Sequence, residues 1–438
     1  VAFVGSWTSS AGLGSGIFTG TDAYVLRVKE GDPALIGARF SSFKDPVLNS
    51  EGKIAFSATI ISSGSPQAKR TGIFSDALTG ELKLLALEGT PSVDGTMLKR
   101  IQSFSLQGAE VVYTASSGGG GRAAYRVTAE ATKRVIRTGQ PFGLTRVKSF
   151  NLLAAVPGSS AQNRAHRQGA ASFSIRLADG TQALVDSAGE ALSAFAYSGD
   201  YLGGTQLGDA TWKSFGPVAA PDDKFAAVSA KLTIGVGGVT NDNATGIFLG
   251  SGTTFEPIAL VDNTTGIGNT RFATFKDPVL APESGQIAFL ATLAGSGVTK
   301  SDDSTVWWRS ADGPLTLLAR EGGAPPDTEA GGQWQTFTSI GISGGASGGP
   351  LIYGSLRIAS GGVTSSNDSG IWAVDTSGTL RLLTREGDLI GGKSIGRIEA
   401  FNTLGLPGVT RSFNNVGEVV YRAIFTDRSE AIMRVQIP

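Results

Sequence analysis

Cysteine is absent from all 438 residues. Its absence excludes disulfides, thiolate nucleophiles and cysteine-ligated metals. Histidine occurs once, at His166, so a multi-histidine metal site is impossible. A Ser-His-Asp triad would have to use that one residue, yet Arg164-Ala165-His166-Arg167-Gln168 reads as a solvated basic loop. Charge is scarce: Asp, Glu, Lys and Arg make up 17% of the chain, against the usual ~25%. It is also balanced, with 37 basic and 37 acidic residues, which argues against a nucleic acid as main partner. No apolar run approaches the ~18 residues of a membrane-spanning helix, and no segment keeps a 3.6-residue apolar period over ten or more positions. Phosphate loops and dinucleotide fingerprints are missing. So is the Asp-box of sialidase-type propellers, since Ser310-Ala311-Asp312-Gly313 has no Trp after it at the required place. No secretory signal pattern is present. The chain opens inside a strand-like run, Val1-Ala2-Phe3-Val4, as expected of a mature or trimmed product.

What the chain does have is glycine, 62 residues of it, about twice the ordinary ~7%, and an internal repeat. Phe43-Lys44-Asp45-Pro46-Val47-Leu48 returns letter for letter as Phe275-Lys276-Asp277-Pro278-Val279-Leu280, followed by Ile54-Ala55-Phe56 and Ile287-Ala288-Phe289. Four strand signals recur. Signal A is a small residue before Phe, at Phe43, Phe104, Phe150, Phe215, Phe275, Phe337 and Phe401. Signal B is an alternating run such as Ile54-Ala55-Phe56. Signal C is Gly-Ile-Phe or a variant, as in Gly16-Ile17-Phe18, Gly72-Ile73-Phe74, Gly246-Ile247-Phe248 and Gly370-Ile371-Trp372. Signal D is leucine-rich and ends in an acidic Gly turn, as in Leu382-Leu383-Thr384-Arg385-Glu386-Gly387-Asp388.

Short strands at regular spacing with glycine-rich turns predict an all-β fold, a β-propeller of four-stranded blades with about 60 residues per repeat. A and D occur seven times, B and C eight times, so the count is eight blades, or alternatively seven. With eight, the first blade lacks strand A and the last lacks strand D. The expected units within one propeller domain are 1–39, 40–99, 100–146, 147–211, 212–271, 272–333, 334–397 and 398–438.

Asn49-x-x-Gly52-x-x-Ala55-Phe56, then Gly72-Ile73-Phe74, then the acidic Gly turn, resembles the NxxGxxAF tandem-repeat proteins. Asn415-Val416-Gly417 is a shifted echo, and residues 147–205 depart most. The resemblance implies an exported bacterial propeller, often with a C-terminal anchor, and brings no reaction with it.

In an up-and-down blade the B–C loops and D–A turns share one face, the default binding face. Three B–C loops cluster hard oxygen donors: Asp242 with Asn243, Asp302 with Asp303, and Asn367 with Asp368. Such donors suit Ca²⁺, and the same residues at a hairpin tip bond their own backbone. None has EF-hand spacing. The acidic turns Glu30/Asp32, Glu321 and Glu386/Asp388 form either a ring of carboxylates or a set of solvated turn residues. Asp45 and Asp277 precede prolines and suit strand-entry turns, with a general-acid pair as the sharper alternative. Trp307 and Trp372 align with core Phe positions. Trp212 and Trp334 stand just before signal A, nearer the loops, as candidate glycan contacts.

The functional expectation is a non-enzymatic extracellular or cell-surface propeller, structural or adhesive, self-assembling through unpaired terminal strands. A carbohydrate- or calcium-dependent binding module and a propeller-type hydrolase are the alternatives. The expected partner is the protein itself or a surface glycan, and Ca²⁺ is the one cofactor in view.

Overall fold

The computed structural model describes the chain except residues 11, 22, 63, 154–165, 168–169, 189–190, 205, 208, 220–224, 277, 282–283, 343–347, 401–412 and 415. Among the described residues there is no helix, and thus none long and apolar enough to cross a membrane. The strands form eight antiparallel sheets, each following chain order. Blade one comprises Ala2–Ser9, Gly12–Gly20 and Tyr24–Lys29. Those strands are B, C and D; among the described residues no strand A joins them. Blades two to seven carry all four. In blade six, for example, A is Thr270–Phe275, B Ile287–Gly295, C Ser304–Arg309 and D Leu315–Arg320. Blade eight has a two-residue arm, Leu389–Ile390, then A, B and C as Lys393–Ala400, Glu418–Phe425 and Glu430–Gln436. Among the described residues the count is eight, and the expected strand is missing from each terminal blade. By contacts the chain divides into two compact units, chiefly Val1–Leu152 with Ala165–Ala194, and Phe195–Leu404 with Arg411–Pro438.

Each blade core is built on one cross-strand pair. In six blades a B residue faces an aromatic of signal C, as in Phe56 opposite Phe74, Tyr113 opposite Tyr125, Phe289 opposite Trp307 and Ile352 opposite Trp372; in blades four and eight the partners are Val185 and Met433. Strand A adds two more rings. Phe40 and Phe43 lie 6.2 and 5.9 Å from Phe56, and Phe272 and Phe275 lie 6.3 and 5.7 Å from Phe289. The repeated hexapeptide is thus packing. Its Phe joins this cluster, and its Val and Leu pair with strand B at Val47–Ala55 and Leu48–Ile54, and again at Val279–Ala288 and Leu280–Ile287.

The register of signal A differs from the sequence expectation in blades three and eight. Phe43 pairs with Ala58, and the equivalent pairs are Ile101 with Ala115 and Ile398 with Ala423. Phe104 instead pairs with Tyr113, three residues further along, and Phe401 lies outside the described residues. An aliphatic residue at the A position fills the same space, so the Ser-Phe pattern found a later, coincidental match.

Every A strand bulges just after its first paired residues, between Phe40 and Ser42, Phe272 and Thr274, and Ile395 and Arg397 among others. A bulge sharpens the local twist and re-aims the strand. Strand D bulges against C, between Ile17 and Phe18 and again between Ile247 and Phe248. That second bulge explains the Gly of Gly-Ile-Phe: a Cβ on Gly246 would sit 2.6 Å from the Ala259 carbonyl oxygen of strand D.

Candidate functional site

The D–A turns come first, because they hold most of the predicted acids. In all seven, the residue after the acidic position has positive φ: Gly31 86°, Gly89 80°, Gly139 83°, Gly199 98°, Asp262 62°, Gly322 77° and Gly387 89°. That residue donates its N–H to the start of the next A strand at 2.7–2.9 Å, as in Gly31 to Phe40 O and Gly387 to Ile395 O. Six glycines satisfy the left-handed conformation without strain, and Asp is among the few other residues that tolerate it. The acids around this turn bond locally. Ser15 donates its hydroxyl to Glu30 at 2.7 Å. Asp32 accepts the Lys29 N–H at 3.0 Å, and Asp388 accepts that of Arg385 at 2.8 Å.

Glu386 is different. It is 7% exposed. Burial, together with a hydrogen bond and negative charge from Asp368, pushes its carboxyl up to about 7. Two carboxyls in contact favour sharing one proton. In blade six the equivalent Glu321 is also raised, by burial first and then by Asp303. Both pairs join a B–C loop to a D–A turn within the second unit.

The three B–C loops share one construction. Thr240, Thr299 and Thr364 donate their backbone N–H to the side-chain oxygens of Asn243, Asp302 and Asn367 at 2.7, 2.6 and 2.7 Å. The other oxygen of Asp302 takes Arg320 at 2.7 Å. Arg357 reaches from the blade seven loop to the Ser301 carbonyl at 2.9 Å. These side chains close their own loops, and among the described residues no three His, Cys, Asp or Glu cluster as a metal site.

Trp212 and Trp334 require a correction. They are 2% and 1% exposed. Trp212 lies 4.9 Å from Phe248 and 5.4 Å from Phe255, and Trp334 4.4 Å from Trp372. Both begin A strands and point into the blade core, so neither offers a ring face to a glycan. Asp45 has exposed area, yet protein crowded about its carboxyl pushes its pKa up. Its proposed counterpart Asp277 lies outside the described residues. His166 falls in the short strand His166–Arg167, while Arg164, Ala165 and Gln168 lie outside the described residues.

The remaining feature is the edge of blade one. Among the described residues, strand Ala2–Ser9 pairs with Gly12–Gly20 alone. Val1 and Gly20 exchange both hydrogen bonds, at 2.8 and 3.1 Å. Antiparallel alternation then points the backbone groups of Phe3, Gly5 and Trp7 toward that partner, and those of Ala2, Val4, Ser6 and Thr8 toward the missing A strand. Phe3, Val4 and Trp7 are half-buried, whereas Phe56, the equivalent of Phe3, is 0% exposed beneath its A-strand aromatics.

Eight antiparallel blades on one repeated plan, the first without an A strand among the described residues, define an eight-bladed β-propeller. The chain belongs to the Family of unknown function (DUF7453), which matches residues 1–437. Among curated proteins nothing matches it. Among solved structures it is similar to the β-propeller domain of the Trilobed protease from Pyrococcus furiosus, with 9% identity, 88% of this chain and 99% of that one covered, and a TM-score of 0.36. It is also similar to an uncharacterised protein from Listeria monocytogenes, with 7% identity, coverages of 89% and 94%, and a TM-score of 0.39. The Saccharomyces cerevisiae protein Sqt1 shares 8% identity, with coverages of 97% and 90% and a TM-score of 0.39.

Proposed function

We propose that the protein is a non-enzymatic structural or adhesive propeller, acting outside the cell or on its surface, that assembles with copies of itself through the open edge of blade one. The observation that carries this reading is strand Ala2–Ser9. It is eight residues long, carries no charged side chain and no proline, and among the described residues pairs on one side only. Soluble proteins blunt such edges with Lys, Pro, bulges or a covering loop. Here the register is regular throughout, and the half-buried Phe3, Val4 and Trp7 offer apolar area to whatever docks. A second copy of the same edge is complementary to it, because antiparallel pairing of two identical strands is self-consistent about a two-fold axis. The exterior location is supported by the cysteine-free, weakly charged composition and by the likeness of residues 49–56 to the NxxGxxAF repeat.

The test is sedimentation velocity and electron microscopy of the wild type beside Ser6→Pro and Ser6→Lys. Ser6 is exposed, and its backbone faces the open edge, so proline there removes an edge donor without touching the existing ladder. Assemblies in the wild type that both variants lose, with melting temperatures unchanged, are the expected result. A wild type that stays monomeric, or variants that assemble equally well, would sink the reading.

A further inference from the structure

Blade three holds a cavity of about 150 Å³ on the side of its B–C turn. Three pieces of chain line it: the connector into strand A (Asp94, Thr96, Leu98), the B–C turn (Ser116, Ser117, Gly121, Arg122) and the end of strand D (Arg137, Thr138), with Tyr125 beside them. The connector is held by a network around Asp94. Ser92 and Arg134 donate to its carboxylate, and the Tyr125 hydroxyl lies within hydrogen-bond distance of Ser92, at 3.0 Å. Although burial works against its charge, those hydrogen bonds hold the Asp94 carboxyl well below the usual range. Asp94 is thereby ionised, and Arg134 neutralises it.

The two lining arginines have no such partner. Arg122 donates to the Phe150 carbonyl at 2.9 Å and the Asn151 side chain at 3.2 Å. Its guanidinium stands 5.4 Å from the Phe150 ring centre, and its Nε is buried without a hydrogen-bond partner. These contacts are neutral. No ion pair holds Arg122 or Arg137 among the described residues. Arg122 is desolvated enough that burial lowers its pKa, which makes an uncompensated guanidinium there unfavourable unless an anion approaches. Ser116, Ser117, Thr96 and Thr138 add hydroxyls around the same space.

We propose that this cavity is a binding site for a small oxyanion, a carboxylate or sulfate group, taken by Arg122 and Arg137 with help from the surrounding hydroxyls. A planar guanidinium fork matches such a group bidentately. The volume exceeds the ~30 Å³ share of one water, so the anion has room to carry a small organic body. This proposal is independent of the edge of blade one.

The probes are sodium sulfate, sodium glucuronate and glucose, titrated calorimetrically at constant ionic strength into the wild type, Arg137→Gln and Arg122→Gln. Arg137 is exposed, so its variant keeps the test open if Arg122→Gln fails to fold. Saturable binding of either anion, weakened about tenfold or more by Arg137→Gln, is the expected result. Glucuronate tighter than sulfate would identify an acidic saccharide as the ligand source, and the reverse order a free inorganic anion; both support the site. No saturable binding of either anion overturns the proposal, as does anion binding that Arg137→Gln leaves unchanged. Glucose bound as tightly as glucuronate overturns it too.

Discussion

At the scale of single residues, two positions turn the repeat into measurable energetics. Glu386 is raised from the ordinary glutamate range to about 7 by burial and by Asp368. Between those values the folded protein binds a proton that the unfolded chain releases, so stability falls as pH rises through the window and levels off above it. Glu386→Gln keeps a donor toward Asp368 and removes the titration. The variant should melt with the wild type near pH 5 and above it at pH 8, by an amount on the order of 1–3 kcal/mol. Thermal melts at the two pH values check this, and an equal gap at both would refute the assignment. Gly246 is the second position. Its Cβ would lie 2.6 Å from the backbone oxygen of Ala259, which a bulged strand cannot easily withdraw. Gly246→Ala should cost about 1–3 kcal/mol, read from denaturant midpoints. In blade six the equivalent Thr305 takes the place of glycine, and its hydroxyl bonds the Ala291 carbonyl at 2.8 Å and accepts from Trp307 at 2.9 Å.

At the scale of strands and loops, the molecule spends its polar side chains on itself. The Thr-x-x-Asx construction of three B–C loops and the positive-φ turn of seven D–A connections close backbone hydrogen bonds that would otherwise be left to water. Much of this was legible beforehand. Asn243, Asp302 and Asn367 stood out as oxygen donors, and the turn glycines as turn glycines. What spacing did not convey was whether those oxygens faced outward or back, because both arrangements need the same residue types. Trp212 and Trp334 were misplaced for a related reason. The signal-A Phe looked like the start of strand A, yet pairing begins three residues earlier, so the indoles belong to the sheet. Among the described residues, strand Ala2–Ser9 is an edge strand without a charged side chain or proline, and one row of its backbone groups has no strand partner. The proline and lysine substitutions at Ser6 test it at the scale where the proposal lies, since they alter an edge and leave every existing pair intact.

At the scale of the whole molecule, two compact units, each with its own dense internal contacts, predict that unfolding departs from a single two-state step. Differential scanning calorimetry should give a calorimetric enthalpy larger than the van't Hoff value. Equality of the two would show that the eight blades melt as one. Balanced charge, with 37 residues of each sign, gives no long-range field to hold copies apart near neutral pH. Association through an uncharged edge therefore meets little electrostatic opposition.

The sequence by itself determined the all-β class, the repeat, the eight B–C pairs against seven A and D strands, and the exclusion of cysteine and multi-histidine chemistry. These are properties of periodicity and composition, which local rules read directly. Tertiary structure alone decided three things: that the two candidate tryptophans are core, that Glu386 meets Asp368, and that Arg122 and Arg137 line one cavity whose Asp94 carboxylate is paired with Arg134 instead. Each depends on which residues distant in the chain become neighbours. Bulges set that register, and a bulge moves a side chain to the opposite face without leaving a mark in the hydrophobic pattern.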